Sequence, residues 1–251
     1  MGSPNHYGLE LPTRCLSLLE ALWPHAEGVF PTTGNQALGP LTATFLLSMA
    51  MPIINLPIER VERRNGARVD SYVDERNHDT ALAGRMNERL GGSPIGNAPF
   101  FVPGHWSFYQ CQVDQSINIA DGFPAHLAQG LEDPAAIDAA SALQGSLWSS
   151  ILRNSLAHGG VAYLDRNGYT ASEAPTYYLA FISGNFEHDE CGRPIRLRAV
   201  RTLRISMTNF MNFLREWVRW LNNGDENSHG AQPAYHTADQ STHSASAPVP
   251  Q

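Results

Sequence analysis

The chain has 251 residues, a formal net charge of −7, 42% apolar residues and 16% charged residues. That length can bury a substantial core in one or two domains, and the composition is that of a soluble globular protein. The acidic balance argues against a general nucleic-acid coat protein, which carries excess basic residues, but leaves room for an enzyme with one local basic patch.

Residues 1–8 read as a flexible arm. Leu11 to Trp23 carries Leu11, Cys15, Leu18, Leu19 and Leu22 at helical spacing and is predicted to stop at Pro24. Leu38 to Ile54 is apolar nearly all round, as a central bundle helix would be, and Pro52 and Pro57 should kink or end it. Ala67 to Leu90 is polar, closes on Gly91-Gly92 and reads as one long solvated helix. Residues 92–115 hold Phe100, Phe101, Trp106, Phe108 and Tyr109 among three prolines, and suggest an ordered aromatic loop or a short strand pair. Asp133-Pro134 opens a helix predicted to run unbroken to His158, with Gly159 as its C-cap. Val161 to Leu164 is a short β-run leading into a turn, and Tyr177–Phe186 with Ile195–Val200 reads as a hairpin. Ser206 to Leu221 puts Phe210, Phe213, Leu214, Trp217 and Leu221 on one apolar stripe. From Asn222 the chain is a polar, His-containing, low-complexity tail.

All 17 basic residues are Arg, with no Lys anywhere. Cys15, Cys111 and Cys191 are widely spaced and form no CxxC pair, so neither a disulfide framework nor a zinc site is expected. There is no basic stretch leading into an apolar core at the N-terminus, and the greasiest run, Phe45 to Ile54, is too short to span a bilayer. A cytoplasmic location without membrane contact is the expectation.

The most informative segment is Leu152-Arg153-Asn154-Ser155-Leu156-Ala157-His158-Gly159-Gly160. An arginine and a histidine separated by four residues, with a polar residue after the arginine, is a weak pattern alone. In a chain this rich in Arg and His, allowing spacers of four, five or six gives roughly two matches by chance. Context adds weight, because the motif closes an apolar helix where an imidazole would be exposed. In this it resembles the HEPN superfamily of helical-bundle proteins, many of which cut RNA without a metal. The element order from about Ala135 to Leu221 is similar to plasmid-borne and defence-related branches of that superfamily.

The resemblance implies a mainly-α, HEPN-like helical bundle over residues 9–222, with a small β-hairpin inserted between the motif helix and the last helix. Residues 1–8 would be an arm and residues 223–251 a disordered tail. It implies a metal-independent endoribonuclease, of toxin or phage-defence type, needing no cofactor. Its partners would be RNA, a second copy of the chain, and an antitoxin or regulatory protein. Arg153 would neutralise phosphate charge and His158 would move protons. Positions five apart in a helix lie about 7.5 Å apart along the axis and about 140° round it, so these two do not share a face. Asn154 and His158 do, and Asn154 could orient the imidazole. Two copies packed motif to motif would then build the site more easily than one.

A second reading stays open: a catalytically silent module that binds a protein or nucleotide, with His158 merely favouring the negative helix end. Against it stands the cost of a buried Arg-Asn pair in an apolar helix, unless some partner offsets it. Elsewhere, Arg193, Arg196, Arg198, Arg201 and Arg204 form a basic cluster, and Arg196, Arg198 and Arg201 are candidate RNA contacts. Their alternative is a solvated strand face. His188-Asp189-Glu190-Cys191 reads as a solvated turn, and no metal site is expected there. Phe100, Phe101 and Trp106 read as packed, Trp217 and Trp220 as core and interface.

Overall fold

A computed structural model describes residues 3–28, 32–33, 36–37, 41–61, 75–76, 79–113, 117–170, 175–189 and 191–224. Seven α-helices are present among them: α1 Tyr7–Glu27, α2 Thr42–Arg60, α3 Thr80–Arg89, α4 Ala125–Glu132, α5 Ala135–Ala142, α6 Gly145–His158 and α7 Met207–Asn223. Strands β1 (Thr32–Thr33) and β2 (Gln36–Ala37) form a minimal ladder. The principal sheet joins β3 (Trp106–Gln112), β4 (Val161–Leu164), β5 (Tyr178–His188) and β6 (Pro194–Ser206), all antiparallel, in the order β3-β6-β5-β4.

This is an α+β fold, which corrects the expected mainly-α bundle with a small hairpin insertion. The expected hairpin exists, but it is the centre of a four-stranded sheet. One flank is β3, supplied by the aromatic segment and paired from Trp106↔Ile205 to Gln112↔Ala199. The other is β4, paired from Val161↔Phe181 to Leu164↔Tyr178. The sheet is larger than its sequence signal partly because both faces are covered along residues 179–181 and 199–205, while the hairpin end beyond is exposed. Buried strands then lack the clean apolar-polar alternation of a half-exposed hairpin. Leu203 and Ile205 of β6 face one core, while Val200 faces the other.

The first face carries Trp106, Leu179, Phe181, Leu203 and Ile205 against α2, α6 and α7. Its centre is an aromatic cluster in which Trp148 of α6 lies edge-on to Trp106 (5.3 Å between centroids) and Phe213 (5.5 Å). Phe100 meets Trp217 at 4.9 Å in the same arrangement, the preferred one for rings with opposed face and edge charge. The second face holds Ala162, Leu164, Ala180 and Val200 under Phe123 and the Leu127, Ala128 and Leu131 face of α4.

Several helix limits differ from expectation for identifiable reasons. Pro12 and Pro24 lie inside α1, and Pro52 and Pro57 inside α2, which runs on to Arg60. A lost backbone hydrogen bond is outweighed where tertiary burial is dense, as at Ile53, Ile54, Pro57 and Ile58. Helix α1 begins inside the expected arm, because the buried carboxylate of Glu75 accepts from the free N–H groups of Tyr7 (3.1 Å) and Gly8 (2.7 Å). Arg60 pairs with the same carboxylate at 2.8 Å. Helix α3 starts only at Thr80, capped by the Asp79 side chain on Leu82 N–H. Residues 67–74 of the expected long helix lie outside the described residues, as does the tail from 225.

The predicted helix from Asp133 to His158 is broken in two. Leu143 and Gln144 are held extended by residues 91–95: Ile95 N–H donates to Leu143 O (2.7 Å), Gly145 N–H to Ser93 O (2.9 Å) and Ser146 N–H to Gly91 O (2.9 Å). No local helix breaker announces this, since the partners are about 50 residues away in sequence. A Cβ on Gly145 would sit 2.2 Å from Arg89 O, so backbone meets backbone there with no room for a side chain. Gly145→Ala should therefore lower stability by roughly 2 kcal/mol, a fall of several degrees in melting temperature. A melt matching wild type would show that α6 is not seated this way.

Candidate functional site

The C-terminal half of α6 turns Ile151, Leu152, Ser155 and Leu156 into the protein and leaves Arg153, Asn154, Ala157 and His158 half-buried or exposed. Its inner face is fastened to β5. The Ser155 hydroxyl lies between the carbonyls of Ile151 (2.7 Å) and Ile182 (2.9 Å), and Ile182 N–H donates to Gly160 O at 2.7 Å. Gly159 ends the helix in the left-handed region at φ 70°, as its sequence position predicts. Gly160 is required by proximity, because a Cβ there would approach Ile182 O to 2.5 Å.

The outer face is polar and shared with α2. Arg153 pairs with Glu59 (3.1 Å), and both side chains are water-accessible, 30% and 57% exposed. Its Nε and Nη2 donate to Asn154 Oδ1 at 3.2 and 2.9 Å, and Asn55 Nδ2 approaches Arg153 O at 3.4 Å. Asn154 therefore serves the guanidinium; its expected role in orienting His158 is not the arrangement seen. These contacts also supply the offset that the Arg-Asn pair needs, so burial cost no longer weighs for catalysis. A pair this exposed contributes under about 1 kcal/mol, so another anion can compete for the guanidinium. His158 is exposed and has no hydrogen bond or ion pair among the described residues. Arg153 and His158 do not converge within one chain, as helix geometry requires.

The hairpin arginines are engaged locally. Arg198 forms a two-point pair with Glu187, Nη2–Oε1 2.7 Å and Nε–Oε2 3.0 Å, and this guanidinium holds the Glu187 carboxyl below its ordinary range. Arg196 lies opposite Glu187 in the ladder, and Arg201 donates to Gln110 Oε1 at 2.9 Å. Asp189 accepts from the N–H groups of Arg193 and Cys191, the first of which leads in lowering its pKa, and it also pairs with the Arg193 side chain at 2.9 Å. Phe100, Phe101 and Trp106 are buried, as are Trp217 and Trp220, so none of these rings is presented to a ligand. Among the described residues no cluster of three His, Cys, Asp or Glu side chains could hold a metal.

Three constellations had no signal in the sequence, because each joins distant segments. Arg204 is only 6% exposed; its guanidinium lies over the Tyr178 ring at 4.6 Å, donates to Leu131 O at 2.9 Å and pairs with Glu132. Cys111 Sγ lies 3.7 Å from His126 Nε2, but burial pushes this thiol up in pKa, the opposite of an activated nucleophile. Arg166 covers the exposed Tyr177 ring at 5.2 Å beside the turn that follows β4.

Comparison of the chain with protein-family models, curated proteins and solved structures finds no match. Helix α2 is, by length and composition alone, long and apolar enough to cross a membrane, longer than the apolar run read from the sequence. Seven of its side chains are buried against the rest of the fold.

Because the hairpin guanidiniums have local partners, replacing Arg196, Arg198 and Arg201 together with Gln should change RNA affinity at low salt by less than about threefold. Three free phosphate contacts would instead flatten the log-log salt dependence by somewhat under one unit each. A loss on that scale would make the hairpin an RNA track after all.

Proposed function

We propose that the C-terminal end of α6 acts on RNA phosphodiesters, and that two copies of the chain together form a metal-independent endoribonuclease, as the HEPN resemblance implies. The observation that carries this reading is the exposed imidazole of His158, without a partner among the described residues, on the helix end that also carries the accessible Arg153. Imidazole can both take and return a proton near neutral pH. It would take the 2′-hydroxyl proton as the 2′-oxygen attacks phosphorus. A protonated imidazole, from the same or the second copy, would supply a proton to the departing 5′-oxygen, leaving a 2′,3′-cyclic phosphate. Arg153 would exchange Glu59 for a phosphate oxygen and offset charge growing in the transition state. Since the two side chains lie on different faces of one helix, a second copy across a two-fold axis brings a partner residue to each.

A second reading is favoured by a different observation. Glu59 and Asn154 already occupy Nη1, Nη2 and Nε of Arg153, as expected of a structural arginine in a non-catalytic binding module.

The two readings separate in one assay. Protein in EDTA should cut single-stranded RNA to cyclic-phosphate ends, and His158→Ala should slow this roughly 100-fold or more. Glu59→Gln removes the competing carboxylate and should raise RNA affinity several-fold. Light scattering should return about twice the 27.5 kDa chain mass. Equal cleavage by wild type and His158→Ala would assign the activity to a contaminant, and the binding-module reading would stand.

A further inference from the structure

We infer that the turn after β4, with the tyrosines around it, binds the unpaired bases of single-stranded RNA, an inference that rests on reading the α6 end as an RNA-handling site. Four tyrosines are exposed among the described residues, and three of them, Tyr163 (38%), Tyr169 (43%) and Tyr177 (40%), fall on β4, on this turn and just before β5. Three exposed tyrosines gathered on one short stretch of a sheet edge stand apart from Phe100, Trp106, Trp148 and Trp217, which are in the core.

The patch is held firmly. The Asp165 carboxylate accepts from Asn167 N–H (2.8 Å) and Tyr169 N–H (3.0 Å), and Asp165 N–H donates to Tyr169 O (2.8 Å). Gly168 makes the reversal at φ 80°, a conformation other residues rarely adopt. The backbone of Tyr177 is pinned at both ends, its N–H to Leu164 O (2.7 Å) and its carbonyl to Met207 N–H (2.9 Å). From solvent inward the side chains form a ladder. Arg166 lies over Tyr177 at 5.2 Å, Tyr177 meets Tyr178 edge-on at 4.7 Å, and Tyr178 lies beneath Arg204 at 4.6 Å. Arg204 is in turn fixed by Leu131 O and Glu132. A base stacking on this surface therefore meets rings and a guanidinium plane that are already ordered, and little side-chain entropy is lost.

Charge decides the occupant. Arg166 is exposed and makes no ion pair among the described residues; of the two carboxylates at the turn, Asp165 accepts two backbone N–H groups at Oδ1, and Glu132, close to Gly168, is paired with Arg204. The hairpin arginines, by contrast, face Glu187 and Asp189. Flat π-surfaces beside an exposed guanidinium that has no ion pair among the described residues match a ligand that offers both π-faces and anionic charge, which is an unpaired nucleic-acid strand. A duplex hides its base faces and cannot use the rings. Tyr163 is five residues beyond His158, within about 18 Å at full extension, so a strand stacked here would pass the α6 end within a few nucleotides.

The test uses the full chain and a 2′-O-methyl uridine strand of about a dozen nucleotides, which cannot be cut through its 2′-oxygen. Fluorescence anisotropy at low salt should show Tyr177→Ala and Tyr163→Ala each binding roughly 10-fold more weakly, while Tyr177→Phe binds like wild type. Arg166→Gln should weaken binding and reduce the log-log salt slope by somewhat under one unit. The same strand annealed to its complement should bind at least roughly 10-fold more weakly than the single strand. Wild-type affinity in both alanine variants, equal affinity for duplex and single strand, or no binding by wild type would overturn the inference and leave the patch to a protein partner. Binding is read without cleavage. A wild type that binds through Tyr177 yet never cuts natural RNA would remove the ribonuclease reading alone. Cutting by a wild type whose tyrosine variants bind normally would remove this inference alone.

Discussion

Helix α6 is located by two contacts in which backbone meets backbone with no side chain between: Gly145 against Arg89 O at its start, and Gly160 against Ile182 O just past its end. Between them Trp148 fills the aromatic cluster and Ser155 bonds to the sheet. The remaining architecture follows from that seating. Residues 91–95 clamp the start of α6 through their backbone hydrogen bonds, and the aromatic segment that follows them leads into β3, which widens the sheet. The chain leaving α6 must enter β4 at once, because Ile182 N–H is already bonded to Gly160 O. The helix end that carries Arg153 and His158 is thus rigid and solvent-facing together. That is the condition for presenting a proton-transfer group in a fixed direction.

An arginine-only basic complement shapes the electrostatics. Planar guanidiniums stack and donate along several directions at once, and the fold uses them this way. Arg204 links Tyr178, Leu131 and Glu132 across the second face, Arg60 helps hold Glu75 at the start of α1, and Arg198 braces the hairpin. With so many guanidiniums committed to carboxylates in a chain of net charge −7, broad polyanion affinity is not expected. Recognition of RNA would depend on a few local features: Arg153 where Glu59 yields, Arg166 over Tyr177, and exposed rings whose stacking is insensitive to salt.

What could be read from the sequence was local. The α7 stripe, the Gly159 cap and the two central strands each follow from periodicity or a single turn residue, and each is present. The interior face of the α6 motif was also legible, since an apolar helix ending in Ala-His-Gly-Gly exposes its histidine. The sheet's extent was not, because β4 has four residues and β3 hides in a segment dense in proline and aromatics. The break at Leu143-Gln144 depends on residues 91–95, and nothing in the helix itself marks it. Arg204 read as part of an accessible basic cluster, an RNA track or a solvated strand face, yet it is buried because Tyr178 and Glu132, from other elements, receive it. Asn154 was misassigned for a similar reason: spacing allowed His158 as its partner, but the adjacent guanidinium is closer and charged.

The central claim is that RNA is handled where α6 ends. Among the 10 histidines of the chain, His158 can be identified in a proton-carbon NMR spectrum of imidazole groups by the signal lost in His158→Gln. Titration with the uncleavable 2′-O-methyl strand should move the His158 signal, while that of His126, near Cys111, stays in place. A His158 signal that does not move while the RNA binds elsewhere would contradict the account.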